Sequence, residues 1–192
     1  MDQKVKYKAI VIGTSAGGLT ALTQILSKLP AHYPLPVIVV QHRSRESNLL
    51  FEEVLQKSCN LKVKQVDEKE KIEAGKIYIA PPNYHLLVEQ DETFSLSAGE
   101  LIKYSRPSID ILFETAALAY KQNLISILLT GSNSDGAEGS LAVKTGGGLT
   151  IAQNPDEAQF NAMPQSAVDI GAINMVLNLD EIAAFLIKAP GL

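Results

Sequence analysis

An apolar run, Ala9 to Ile12, ends at a glycine-flanked serine and gives way to an apolar helical pattern. The stretch reads Val11-Ile12-Gly13-Thr14-Ser15-Ala16-Gly17-Gly18, and Leu19, Leu22, Ile25, Leu26 and Leu29 follow at helical spacing. A strand, a tight turn and a helix in that order push one side chain out at the carboxyl end of a parallel strand. Glycines in such a turn avoid Cβ clashes and let a ligand approach the backbone. The helix start adds free N–H groups and partial positive charge, suited to an anion or a developing oxyanion. The stretch fits G-x-S-x-G, the pattern of an exposed nucleophilic serine. It fails G-x-G-x-x-G, because Ser15 stands at the second glycine, and it lacks the Gly-Lys-Ser/Thr of a phosphate loop. A third reading has Ser15 only capping the helix. The pattern alone leaves these open.

The same alternation of strand and helix continues along the chain. Tyr7 to Ile12 reads as a first strand, and Pro36 to Gln41 and Leu124 to Leu129 are apolar throughout, as strands buried on both faces are. Leu61 to Val66 alternates, as a strand nearer an edge does, and Leu149 to Ala152 and Ile173 to Leu177 complete the strands. Helical patterns cover Ser47 to Lys57, Ile109 to Lys121 with Ser108 as N-cap, Ala137 to Lys144, a short segment after Met163-Pro164, and Asp180 to Ile187. Lys76 to Ala80, Tyr84 to Val88 and Thr93 to Leu96 read together as an antiparallel insert, a hairpin at a sheet edge. The expectation is an α/β fold, a doubly wound and mostly parallel sheet with a short antiparallel hairpin insert, in one domain over residues 1–192.

Composition closes off several functions. The formal net charge of −4 argues against nucleic acid as a partner. Cys59 is the only cysteine, so an intrachain disulfide and C-x-x-C metal or redox motifs are excluded. His32 and His85 lack ligand spacing, so neither a metal nor a cofactor is expected. The polar start lacks a signal-peptide core and no apolar stretch reaches about 18 residues. A cytoplasmic protein without membrane insertion is the default.

Ser15, His42 and Asp135 each follow a buried-strand run, so a parallel sheet carries all three to one rim, where such sheets bind ligands. A serine hydroxyl needs a base, imidazole suits that task, and a carboxylate fixes the imidazole tautomer. Against this, Ser15 and Asp135 are ordinary helix caps and His42 an ordinary strand-end residue. The chain order Ser, His, Asp matches none of the familiar triad orders. With no histidine after His85, the α/β-hydrolase order is excluded for Ser15.

The chain resembles the catalytic domain of the chemotaxis protein-glutamate methylesterase family (CheB-type). The resemblance rests on Ile12 to Gly18, Gln41-His42, Tyr78 to Pro81, His85, Arg106-Pro107-Ser108-Ile109-Asp110, Leu128 to Gly131, Asp135-Gly136-Ala137 and Ile151 to Asn154, in the family's order. It implies Ser15 as nucleophile, His42 as general base and acid, and Asp135 as its carboxylate partner. It implies hydrolysis of glutamate γ-methyl esters on the cytoplasmic helices of methylated chemoreceptors, with glutamine deamidation as a second activity. It also places backbone N–H groups of Ala16 and Ser132 at the oxyanion, although the family usually has Thr and Met there. Arg106 is assigned equally to a substrate or partner contact and to a loop salt bridge, while His85 is assigned a structural role. Family members usually carry a phosphorylatable receiver domain. This chain begins at the catalytic domain, so a separate response regulator or methyltransferase is the expected kind of regulatory partner. A non-catalytic module that binds receptor or signalling proteins on the same fold is the alternative, and a small-molecule or nucleotide-binding domain a third.

Overall fold

Two apolar layers, one on each face of a sheet, account for most of the buried side chains. In the computed structural model, which describes residues 7–43 and 50–192, successive strand residues alternate between the layers. Ile10 and Ile12 of strand β1 (Ala9–Thr14) face one way, with Val37 and Val39 of β2 (Val37–Gln41). Val11, Ile38 and Val40 face the other. This period of two explains the unbroken apolar runs, because each residue is buried on one side or the other.

Seven parallel strands form the main sheet among the described residues, in the order β3-β4-β2-β1-β7-β8-β9. Beside β1 and β2 these strands are β3 (Lys62–Gln65), β4 (Lys76–Ile79), β7 (Leu124–Leu128), β8 (Leu149–Gln153) and β9 (Met175–Leu177). Helices α1 (Gly18–Leu26), α2 (Leu50–Ser58) and α6 (Leu179–Lys188) cover one face. Helices α3 (Ile109–Tyr120), α4 (Ala137–Thr145) and α5 (Ala162–Asp169) cover the other, with a separate hairpin of β5 (His85–Val88) and β6 (Phe94–Ser97). Residues 47–49, expected to open the second helix, lie outside the described residues. Met163 and Pro164 sit inside the first turn of α5, where proline costs no hydrogen bond.

The doubly wound expectation holds, with corrections of detail. Lys76–Ile79 does not join the insert. It pairs parallel with both β2 and β3, and Ile77, Tyr78 and Ile79 are fully buried, as an interior strand requires. The hairpin does not extend a sheet edge either. It packs its Leu86, Val88 and Phe94 into the apolar layer beneath α3. Leu141 of α4 faces outward, while Val143 is buried.

From β1 the chain winds outward through β2, and it returns to the other side of β1 at β7. The reversal lies between β1 and β7, and ligands bind at the carboxyl ends of strands beside such a switch.

Candidate active site

β1 and β2 pair in register up to Thr14 and Gln41, so Ser15 and His42 stand side by side one step beyond the ladder. The His42 N–H donates to the Thr14 carbonyl at 3.0 Å and continues the parallel pattern. Gln41 ties the two strand ends together. Its Nε2 donates to the carbonyls of Ser15 at 2.8 Å and His42 at 3.0 Å. Turn geometry then depends on Gly17, which holds φ 79°, a left-handed conformation that glycine adopts without strain.

The loop after β7 supplies the other side. The Ser15 N–H donates to the Thr130 carbonyl at 3.0 Å, and a Cβ on Gly131 would lie 3.0 Å from the Ser15 Cβ. Thr130 Oγ1 donates to the Ala16 carbonyl at 2.9 Å, so the two loops are bonded along their length. The Gly131 N–H is spent on the Phe160 carbonyl. Among the described residues, the N–H groups of Ala16 and Ser132 have no hydrogen-bond acceptor.

Asp135 is fully buried, and its Oδ2 lies 2.8 Å from His42 Nε2. An ionised carboxylate only accepts, so Nε2 carries the hydrogen, and in the neutral ring the lone pair is then on Nδ1. The carboxylate does not cap the helix that follows it. It caps α3, accepting from the amides of Ile109 at 2.7 Å and Asp110 at 3.1 Å and from Ser108 Oγ at 2.9 Å. Asp110 of α3 returns the arrangement. Its Oδ1 accepts from the amides of Gly136 at 2.9 Å and Gly139 at 2.8 Å, at the start of α4. Helix starts favour negative charge, so Asp135 rests on the positive end of α3 and Asp110 on the positive end of α4. Burial opposes ionisation of Asp135 most strongly. The hydrogen bonds from His42, Ile109 and Asp110 more than offset it, and hold its carboxyl below the usual range. For Asp110 burial prevails and raises the carboxyl, aided by the charge of Asp135 and opposed by Lys103 and the Gly139 amide.

Ser15 and His42 line one open cavity of about 510 Å³, with Arg43, Asn133, Leu101 and the segment from Lys103 to Pro107. Arg106 also lines it, but its guanidinium is engaged by its own loop and by the turn between β4 and β5. Nη2 and Nε donate to Asn83 Oδ1 at 2.7 and 3.2 Å, and Nη1 donates to the carbonyls of Ala98 and Gly99. No carboxylate partner is present for it among the described residues. His85 is buried in a structural setting. Its Nε2 bonds the Glu100 carbonyl at 2.8 Å and its Nδ1 accepts the Ser108 N–H at 3.1 Å. Arg43 carries no signal in the sequence beyond following His42. It forms a two-pronged pair with Glu52 at 2.9 and 3.1 Å, donates to the Ala80 carbonyl and lies over the Phe51 ring.

The sequence profile of the CheB methylesterase family matches residues 10–186. The chain belongs to this family. A Leptospira interrogans protein provisionally named protein-glutamate methylesterase/protein-glutamine glutaminase is 48% identical over 184 residues, covering 96% of this chain and 95% of that one. An Archaeoglobus fulgidus protein-glutamate methylesterase/protein-glutamine glutaminase is 34% identical over 96% of this chain, which spans 54% of that protein's length. The crystal structure of the Thermotoga maritima CheB methylesterase catalytic domain superposes with a TM-score of 0.91 at 33% identity, covering 95% of this chain and 98% of that domain. The CheB methylesterase fold and the sheet described here are therefore the same architecture.

Proposed function

We infer that residues 1–192 form one protein-glutamate methylesterase domain, a serine hydrolase of glutamate γ-methyl esters in proteins, with protein-glutamine deamidation as a related activity. The observation that carries this reading is the His42 Nε2 to Asp135 Oδ2 bond at 2.8 Å, on a strand end in register with Ser15. The names of the relatives above support the same chemistry.

In this reading Ser15 Oγ attacks the ester carbonyl carbon and His42 Nδ1 takes its proton. Asp135 holds the ring tautomer and stabilises the imidazolium. The N–H groups of Ala16 and Ser132 receive the tetrahedral oxyanion, and one such donor is typically worth about 2.7–4 kcal/mol of barrier. The C–O bond to the methoxy group then breaks, and its oxygen leaves as methanol with the proton from His42. Water attacks the Ser15 acyl ester, gives a proton to His42 and releases the glutamate carboxylate. The Ser15 alkoxy oxygen recovers that proton. With glutamine the leaving group is ammonia. No step calls for a metal or cofactor.

Methylated chemoreceptor helices are the proposed substrates, in the cytoplasm, with a separate response regulator or methyltransferase as a regulatory partner. Among the described residues no helix is long and apolar enough to cross a membrane. Methanol release from methylated chemoreceptor fragments tests the reading. Wild-type protein is expected to release methanol. Ser15→Ala is expected to fall to background with an unchanged thermal melt, and retained turnover would remove Ser15 as nucleophile. A serine-reactive phosphonate should label Ser15 and leave Ser15→Ala unmodified.

A further inference from the structure

The cavity that Ser15 lines is also lined by a turn with no role in the ester chemistry. Ile102 and Ser105 face each other across it, each N–H donating to the other's carbonyl, at 3.1 and 2.8 Å. The two residues between them, Lys103 and Tyr104, have φ 46° and 65°. Consecutive left-handed residues define a turn that normally takes Asn-Gly or Gly-Gly, and a tyrosine there is an outlier. Such a conformation persists only where the surroundings enforce it, and it concentrates where a ligand must be met.

The surroundings do enforce it. Lys103 Nζ reaches Asp110 Oδ2 at 2.8 Å and the Ser134 carbonyl at 3.2 Å. His85 holds the Glu100 carbonyl, and Arg106 binds the carbonyls just before it. The tip that these anchors present is apolar. Leu101 and Ile102 are exposed, and Tyr104 is 95% exposed with no hydrogen bond, ion pair or ring contact among the described residues. A folded chain gains nothing for itself from a strained turn that lifts an aromatic ring into water. Leu101 and Tyr104 line the same cavity as Ser15 and His42.

A glutamate side chain is only a few bonds long. When its ester carbon meets Ser15, the substrate's own backbone must lie against the cavity rim. In a helical substrate the neighbours at three and four residues lie beside the esterified one. We propose that Tyr104, raised on this turn, is a substrate-docking residue that packs against the helix carrying the methyl ester and so sets preference for polypeptide over small esters. The proposal rests on the methylesterase reading and assigns the substrate contact within it. The flat ring suits such a task, since tyrosine offers large contact area at low entropic cost.

The test compares two substrates, a methylated helical chemoreceptor fragment and N-acetyl-glutamate γ-methyl ester. Tyr104→Ala and Tyr104→Phe are measured beside wild type and Ser15→Ala. Tyr104→Ala is expected to lower the ratio of the two kcat/KM values by about tenfold or more, the size of a lost aromatic anchor, with the loss carried by KM on the fragment. Tyr104→Phe should keep the wild-type ratio, because the ring and not the hydroxyl makes the contact. An unchanged ratio in Tyr104→Ala, with circular dichroism showing it folded, overturns the docking role and leaves the methylesterase reading intact. Wild-type protein that cleaves the small ester but not the fragment overturns both.

Discussion

Asp135 meets four donors with a carboxylate that has no contact with solvent: His42 Nε2, Ser108 Oγ and the amides of Ile109 and Asp110. Asp135→Asn keeps the shape and removes the charge. Its kcat on methylated protein is expected to fall about 10⁴-fold, the loss typical when a triad carboxylate becomes an amide and the imidazole tautomer is wrong. Its stability in urea at neutral pH should drop by about 2 kcal/mol, because hydrogen bonds to a charged group are lost. The folded carboxyl is held below its ordinary value of 3.8, so this stabilisation is fully present above that pH and disappears as pH falls through the lower folded value. The gap between wild type and Asp135→Asn in a series of urea melts should therefore close on acidification. At this scale the sequence revealed residue types at strand ends, which is how Ser15, His42 and Asp135 could be named together. It did not reveal partners. Arg106 is occupied by carbonyls of its own loop and by Asn83 of the turn between β4 and β5, Arg43 by Glu52, and nothing in Lys103-Tyr104 carries the glycine or asparagine that announces a left-handed turn.

Helix α3 begins where the relay ends, and its first turn is doubly served. Ser108 Oγ accepts weakly from the Ile111 amide at 3.5 Å while donating to Asp135 at 2.9 Å. Ser108→Ala is expected to cost about 1 kcal/mol as a lost cap and to lower kcat as well, since Asp135 loses a donor. Thermal melts and methanol release read the two effects separately. β1 and α3 also touch where Gly13 leaves room. A Cβ there would lie 2.2 Å from Ile109 Cγ2, so Gly13→Ala must displace the Ile109 side chain, and any shift of α3 that follows carries its first amides with it. A loss of about 1–3 kcal/mol is expected, the usual range for overpacking, and it should come with reduced turnover because the Ile109 and Asp110 amides move with the helix. Helices and interior strands were legible because their apolar spacing is set by burial. The placement of β4 was less so. Lys76–Ile79 is followed closely by β5 and β6 and has no helix between it and β3, so local order suggested a meander. Only burial on both faces, with pairing to β2 and β3, assigns it to the parallel sheet.

Across the whole molecule the two apolar layers differ in what they support. The layer under α3, α4 and the hairpin carries the helix starts that hold Asp135, while the layer under α1, α2 and α6 includes residues remote from it, such as Leu186. Leu186→Ala, fully buried in α6, should cost about 2–5 kcal/mol in urea melts and leave kcat at wild-type level below the transition. The fold class was readable because parallel βα alternation leaves few ways to cover both faces of a sheet. The hairpin's position was not, since its contacts with α3 join segments distant in sequence. The crossed arrangement of Asp110 and Asp135 has a further bearing on engineering. Each acid closes a helix to which it does not belong, so the segment that carries each carboxylate does not by itself specify its orientation. Transplanting the catalytic acid into another scaffold would require both helix starts at their mutual angle, and a graft of residues 129 to 136 alone would deliver an aspartate with nothing to aim it.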